Sequence, residues 1–562
     1  MQSETAETAA ILARAEALIG QGAGGEALEI LQAARPRFPR HAGIAACHAD
    51  ALHLAGRLAE AIAAYQAALE LGATAAEIWY GLGCAHLERS SYGAAVRALT
   101  QALALEPDHG RARCNLGRAL FELGQVDPAV DLFRQAARSG DPAVVETALR
   151  NLAIIIPGSP SARHEDVLDA RRQWAGHHEP QAATPCFRRP TPLLGRKLRI
   201  GYVSAFFGAG NWMKPVWGVI NHHDRSRFEV HLFSDGDNPS AESGYRDWPD
   251  DYVHLIRGAT NERAAQIIAQ AGIDVLVDLN GYSFQERLGL FMLRPAPVIV
   301  GWFNMFATTG VAAFDWLVGD ESVIPPEEEP YYCERIHRLP GSYLAFEVLY
   351  PVPEAAAPPS LTNRHITFGC LGSQYKITDG VLAAWARILQ GVPTARLFIK
   401  NGTLGDQSNC ADLVDRLARH GVAPERVRLE CGAAHFDFLR AYDQVDVALD
   451  TFPYNGGTTT TEALWQGVPV LTFDGDRWAS RTSRSLLVAA GLMDWVMPDE
   501  DAYVQRASAL AADPATPAFL ASLRVGMRER LRASPACDSA GLTRSLETFY
   551  LRVAASASAA YS

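Results

Sequence analysis

No apolar run in this chain is long enough to cross a bilayer, so it is not expected to span a membrane. The opening MQSETAETAAILARAEALIG has no basic segment ahead of an apolar core, so no secretory signal is expected and the cytoplasm is the expected address. Positive charge is scarce: 51 Lys and Arg face 63 Asp and Glu, a net of −12, which argues against a general nucleic-acid binder. The nine cysteines form no CxxC pair and no Cys/His cluster at zinc spacing, which suits free thiols and no structural metal. Also missing are GxGxxG after the first strand-like run, GxxxxGK(S/T), HExxH and GxSxG. The first absence weakens a dinucleotide-dehydrogenase reading, and any phosphate-bearing ligand must be held by another device.

At 562 residues the chain has room for several domains of ordinary globular composition, with 48% hydrophobic and 20% charged residues. The front repeats every 34 residues. Counting from Ala76, one unit carries Trp79, Leu82, Gly83, Ala95, Leu99, Ala102 and Pro107. The next repeats this as Leu116, Gly117, Ala129, Phe133 and Ala136. Two earlier copies give Ala49, Ala61, Tyr65 and Ala68, then Ala15, Ala27, Leu31, Ala34 and Pro39. Small residues let the paired helices approach, large ones fill the gap to the next unit, and proline closes the second helix. The pattern resembles the tetratricopeptide repeat over residues 1–156, with a closing helix near Val144 to Ile156. Such a superhelix holds an extended substrate or adaptor polypeptide in its groove, or serves as a spacer or dimerisation arm. The sequence leaves a homodimer and a monomer equally open.

Residues 157–197 read as a linker, with a short helix over VLDARRQWAGHH and an irregular connector ATPCFRRPTPLLGRK. From Leu198 strand and helix patterns alternate. LRIGYVSAFF, FEVHLFS, GIDVLVDLNGYS and VIVGWFNM are the strand candidates of one half, residues 198–355. ITFGCLGS, ARLFIKN, VRLECG, VDVALDTF and PVLTF belong to a second half, residues 356–562. Two doubly wound lobes would place their C-terminal strand edges across a shared cleft. The final helices, about Asp501 to Ala554, are expected over the second half, with a return to the first left open.

In LDTFPYNGGTTTTEALWQGVPV a strand hands over to a helix through a glycine pair and four threonines. Unpaired amides at a helix start, flanked by hydroxyls, suit phosphate oxygens, and Gly456 and Gly457 let a ligand approach the backbone. Glu462 then suits the vicinal hydroxyls of a ribose. Threonine capping and dipole matching by the glutamate explain the same residues without a ligand.

YNGGTTTTEALWQGVPVLTF with GDRWASR resembles the donor-site segment of the O-GlcNAc transferase family. The likeness extends to GYVSAFFG, DLNGYSFQERLGLFMLRPAPVIVGWFNMFATTG and GSQYKITDGVLAAWARILQGVP, and the repeats precede it in the same order. The resemblance implies an α-helical repeat superhelix followed by an α/β glycosyltransferase domain of the GT-B type, with two Rossmann-like lobes. It implies an inverting reaction without metal or other cofactor, UDP-GlcNAc as usual donor, and Ser or Thr of a protein as acceptor. By the same resemblance Lys376 neutralises the diphosphate leaving group, Thr458 and Thr459 contact phosphate, and Glu462 binds ribose. His435 falls near the nucleotide base. Tyr375, Asn455, Gly456 and Gly457 join the donor site, and Arg481 faces phosphate or is structural. Gly208, Asn211, Asn280, Thr308, Thr309 and Gly310 are expected on the sugar and acceptor side of the cleft.

The family's His-Pro pair is replaced here by Gly210 and Asn211, and its second histidine by Lys214. Phe206 and Gly457 replace a further aspartate and histidine. Lys214 is therefore a candidate catalytic cation, a partner for an acidic sugar, or merely exposed. The substitutions leave open another donor, including a CMP-linked nonulosonic acid, an asparagine acceptor, or a non-catalytic repeat scaffold.

Overall fold

The structure is a computed structural model describing residues 2–178, 186, 195–283 and 285–561. Two compact units make up the chain: Met1–Asn151 with Asn401–Arg416, and Leu152–Lys400 with Leu417–Ser562. No helix among the described residues is long and apolar enough to cross a membrane.

The first unit is built of antiparallel helix pairs: Gln2–Gly20 with Gly24–Ala34, Ala42–Leu54 with Leu58–Glu70, Ala76–Glu88 with Tyr92–Leu105, and Gly110–Glu122 with Val126–Ala136. Pro142–Ile155 closes the stack. The periodic glycines do what their spacing suggests. A Cβ at Gly83 would lie 2.5 Å from Leu99 Cγ, and one at Gly117 3.0 Å from the Phe133 ring. Ala15, Ala27, Leu31, Ala49, Ala61 and Tyr65 are buried in one continuous core. The repeat pattern did not reveal that Asn401–Arg416 belongs to this unit. Its Asn409 carboxamide accepts from Gly93 N–H at 2.9 Å and donates to the Ser90 carbonyl at 2.8 Å, while Ser91 donates to Asp406 at 2.7 Å.

In the second unit the first lobe holds β1 (Leu198–Ser204), β2 (Phe228–Ser234), β3 (Tyr252–Leu255), β4 (Val275–Asp278), β5 (Val298–Gly301), β6 (Trp316–Asp320) and β7 (Arg335–Leu339). They form a parallel sheet in the order β3-β2-β1-β4-β5-β6-β7. The second lobe holds β8 (Thr367–Cys370), β9 (Arg396–Asn401), β10 (Val427–Cys431), β11 (Val447–Leu449), β12 (Val470–Phe473) and β13 (Val496–Met497), ordered β10-β9-β8-β11-β12-β13. Strands β4 and β5 are buried throughout, as a parallel sheet covered on both faces requires. In each sheet the strand order reverses once, between β1 and β4 and between β8 and β11. The loops leaving these four strands carry most of the residues singled out above.

Two segments expected only in outline take definite form. Within the stretch read as linker, His164–His178 is a packed helix whose Arg171 and Trp174 are buried. The connector from Ala183 to Lys197 lies mostly outside the described residues. The last helix, Ser539–Tyr561, leaves the second lobe and packs on the first. There Glu547 meets His223 at 3.0 Å, and the Phe549 ring stacks on His337 at 4.0 Å.

Arg171 fixes the turn after β5. It donates to the carbonyls of Ala153 and Met305 at 3.1 and 3.2 Å and to that of Thr308 at 2.6 Å, and lies 4.2 Å from the Tyr282 ring centroid. Gly310 follows at φ +68, where a Cβ would stand 2.7 Å from the Arg171 backbone. Gly310→Ala is expected to lower stability by at least about 2 kcal/mol, through left-handed strain and this collision, as read from the denaturant midpoint.

Candidate functional site

The strand β11 ends at Leu449, and the next residue is a buried carboxylate, Asp450. It accepts from Gly456 N–H and from the Thr472 hydroxyl, both at 2.8 Å, which curls the intervening turn back on itself. Burial pushes the Asp450 pKa up, against the pull of these donors. A Cβ at Gly456 would lie 2.4 Å from Thr460 Oγ1, so the close curl needs glycine there.

The turn delivers the helix Thr458–Trp465, whose N-cap is Gly457 and which no side chain caps. Threonine capping, one of the two sequence readings, is therefore not what these residues do. Thr460 is bound to Ser483 at 2.9 Å, and Thr461 donates to the Thr458 carbonyl at 2.8 Å. The hydroxyls of Thr458 and Thr459 take no hydrogen-bond partner among the described residues and are half-buried at the helix end. Free first-turn amides, two hydroxyls and the positive end of the helix form an anion site.

From the loop after β8, Lys376 donates to the Asn455 carbonyl at 2.8 Å and sits 4.3 Å from the centroid of the Tyr454 ring. Desolvation brings its pKa down to about 8, opposed by the Asp450 charge. Lys376, Asp450, Gly456 and Thr459 line one concavity. Tyr375 flanks it, its ring 6.1 Å from Tyr454. Asn455 contributes its carbonyl alone: its side chain donates inward to the Thr451 carbonyl at 2.7 Å.

Glu462 lies one turn into the helix and is buried. Its Oε1 meets His435 Nε2 at 2.9 Å and is ion-paired with Lys214, whose Nζ is 2.7 Å from the same His435 nitrogen. Lys214 comes from the helix Gly210–His222 of the first lobe, so this cluster spans the cleft. The exposed alternative for Lys214 does not hold, because the residue is buried. Desolvation lowers its pKa, and Glu462 works against that shift.

Several expected cleft residues are spent on shaping loops. Thr308 donates to Glu334 at 2.8 Å, and the Thr309 amide donates to the same carboxylate at 2.6 Å; both threonines are buried. Asn280 is fully buried, accepting from Ala205 N–H at 3.0 Å and donating to the Gln285 carbonyl at 3.1 Å. At Gly208 a Cβ would lie 2.8 Å from Asp237 Cβ. Gly210 and Asn211 begin the helix that carries Lys214 and border an open cavity with it. Arg481 is turned from the phosphate site. It pairs with Glu328 of the first lobe at 2.6 Å and donates to the Gly475 carbonyl at 2.7 Å, so its guanidinium is a structural tie.

Sequence reasoning missed Asp450 and Tyr350. Asp450 had a signal, a charged residue ending the apolar run VDVAL. Tyr350, whose ring centroid is 4.4 Å from Lys214 Nζ, had none.

Two Rossmann-type lobes with a cleft at both switch points, an uncapped helix end and a facing lysine define the architecture called GT-B. The chain belongs to glycosyl transferase family 41, whose model matches residues 177–348 and 355–545. Tetratricopeptide repeat models match residues 80–143 and 49–90. A probable UDP-N-acetylglucosamine–peptide N-acetylglucosaminyltransferase SPINDLY of Petunia hybrida is 35% identical over 368 residues, 63% of this chain and 38% of that protein. The Arabidopsis thaliana protein SEC, with the same descriptive name, is 28% identical over 69% of this chain and 41% of its own length. The chain thus spans well under half of the curated relatives it matches. The solved O-GlcNAc transferase of Thermobaculum terrenum, a lysine-to-methionine mutant, superposes with a TM-score of 0.77 at 31% identity. That match covers 93% of this chain and 98% of the other.

Two outcomes follow from the charges. An anion at this helix end is held best while Lys376 is protonated, so the affinity of a diphosphate probe such as UDP should weaken as pH rises through about 8. Lys376→Met should cost about 10- to 100-fold in affinity at neutral pH and flatten that dependence, as calorimetry across pH will show. Arg481→Ala should leave UDP affinity within about twofold while lowering stability by about 3 kcal/mol in denaturant titration.

Proposed function

We propose that this chain transfers GlcNAc from UDP-GlcNAc to serine or threonine hydroxyls of a protein acceptor held by its repeats. The observation that carries this reading is the shared concavity of Lys376 with the uncapped Thr458–Trp465 helix end. The names of the similar proteins support the sugar and the peptide acceptor.

A hydroxyl oxygen attacks the anomeric carbon from the face opposite the nucleotide. The carbon–oxygen bond to the β-phosphate breaks with inversion, UDP leaves carrying the electron pair, and the proton of the acceptor hydroxyl passes to water. The Lys376 ammonium and the amides and hydroxyls of Thr458 and Thr459 meet the charge that develops on the diphosphate. Such preorganised donors act where charge appears, which is where they lower a barrier most. Glu462 accepts from the ribose and fixes the nucleotide along the helix. Glu328, Glu334 and Arg171 touch none of these atoms and act by holding loops. The nine free cysteines fit a reducing compartment, and we place the protein in the cytoplasm.

The test incubates the protein with UDP-GlcNAc, UDP-glucose or a CMP-linked sugar and a Ser/Thr-rich acceptor library, read by mass spectrometry. N-acetylhexosamine on serine or threonine from UDP-GlcNAc alone, lost in Lys376→Met, is the expected result. Transfer from the CMP-linked sugar, or no transfer with no binding of any nucleotide, would overturn the proposal.

A further inference from the structure

The expected ribose acid does not face the cleft alone. Lys214 and His435 both contact Glu462 through its Oε1 oxygen. Its Oε2 takes no partner among the described residues. A carboxylate grips a vicinal diol with both of its oxygens, one to each hydroxyl. Here one oxygen is already occupied, which leaves a second hydroxyl to be met by something else.

The group standing there is the Lys214 ammonium. It borders a cavity of about 270 Å³ together with Asn211, Trp217, Tyr350 and His435. Tyr350 lies under it at 4.4 Å and edges on to His435, with ring centroids 4.9 Å apart. These aromatic neighbours limit the directions in which the ammonium can move.

We propose that Lys214 is a donor-binding residue, forming with Glu462 a two-jawed ribose clamp with one jaw from each lobe. Glu462 Oε2 accepts from the 3′-hydroxyl, and Lys214 donates to the 2′ oxygen while keeping its ion pair through Oε1. The clamp rests on the nucleotide-sugar reading above and adds to it a first-lobe contact that makes the 2′-hydroxyl a condition of tight binding. A site built around a hydroxyl leaves its own polar groups unpaired when that hydroxyl is missing.

Calorimetric titration of the full chain with UDP and 2′-deoxy-UDP tests this on wild type and Lys214→Met. Wild type should prefer UDP by at least about tenfold. In Lys214→Met, UDP should weaken by about that factor while 2′-deoxy-UDP stays within about twofold, so the preference collapses. Equal weakening of both nucleotides would show a merely structural ion pair and overturn the clamp. Unchanged preference, or tighter UDP binding in the variant, would overturn it as well, the latter by showing that Lys214 competes with ribose. Should Lys214→Met lose its folded melting transition, Lys214→Arg replaces it: the charge stays but moves, and an unaltered preference contradicts the clamp. Failure of wild type to bind UDP at all would instead remove the proposed function.

Discussion

The candidate site depends on one buried carboxylate. Asp450 stands where β11 runs out, and it must be satisfied because an uncompensated charge in that position would be costly. It is satisfied by Gly456 N–H and the Thr472 hydroxyl, which bend the chain sharply enough to start a helix at Thr458. Its negative charge also supports the ammonium of Lys376 against desolvation. One group thus aims the helix end and keeps its facing lysine charged. Without it the amides of Thr458 and Thr459 have no reason to converge with Lys376 on the same concavity.

What could be read from the sequence followed from what each element shows locally. Strands β1, β2, β4, β5 and β8 to β12 are apolar runs closed by Gly, Ser, Asp or Asn, and they stand out for that reason. Four others are absent from the candidates. Tyr252–Leu255 is a largely exposed edge, Trp316–Asp320 shows the same local pattern but is missed, Arg335–Leu339 mixes charged with apolar residues, and Val496–Met497 is only two residues long. The helix Gly210–His222 is masked by Gly210 at its start and Pro215 inside it. At the site, the threonine turn and Glu462 stand out through local turn chemistry and charge, whereas Lys376 is singled out only by the family resemblance. Thr308, Thr309, Asn280 and Arg481 were placed correctly on loops, but their partners are not local. Glu334, Arg171 and Glu328 come from distant parts of the chain, and no spacing announces that a polar side chain is already satisfied.

The seam between the lobes is polar as well as apolar. Arg481 reaches Glu328, Ser485 donates to the buried Asp320 at 2.6 Å, and Tyr343 meets Thr482 at 3.3 Å. The returning helix Ser539–Tyr561 adds His223 with Glu547. Each tie costs desolvation and returns geometry, which favours a cleft of defined width over a simple maximum of stability. The Lys214–Glu462 pair differs from these ties because Lys214 borders an open cavity.

The most direct measurement is a crystal structure of the protein with UDP bound. The account predicts diphosphate oxygens within about 3 Å of Lys376 Nζ and of the amides or hydroxyls of Thr458 and Thr459. Lys376 reaches them with the N–H groups that the Asn455 carbonyl does not use. A nucleotide seated elsewhere, or a diphosphate bound in the cleft beyond hydrogen-bond reach of Lys376, would contradict this.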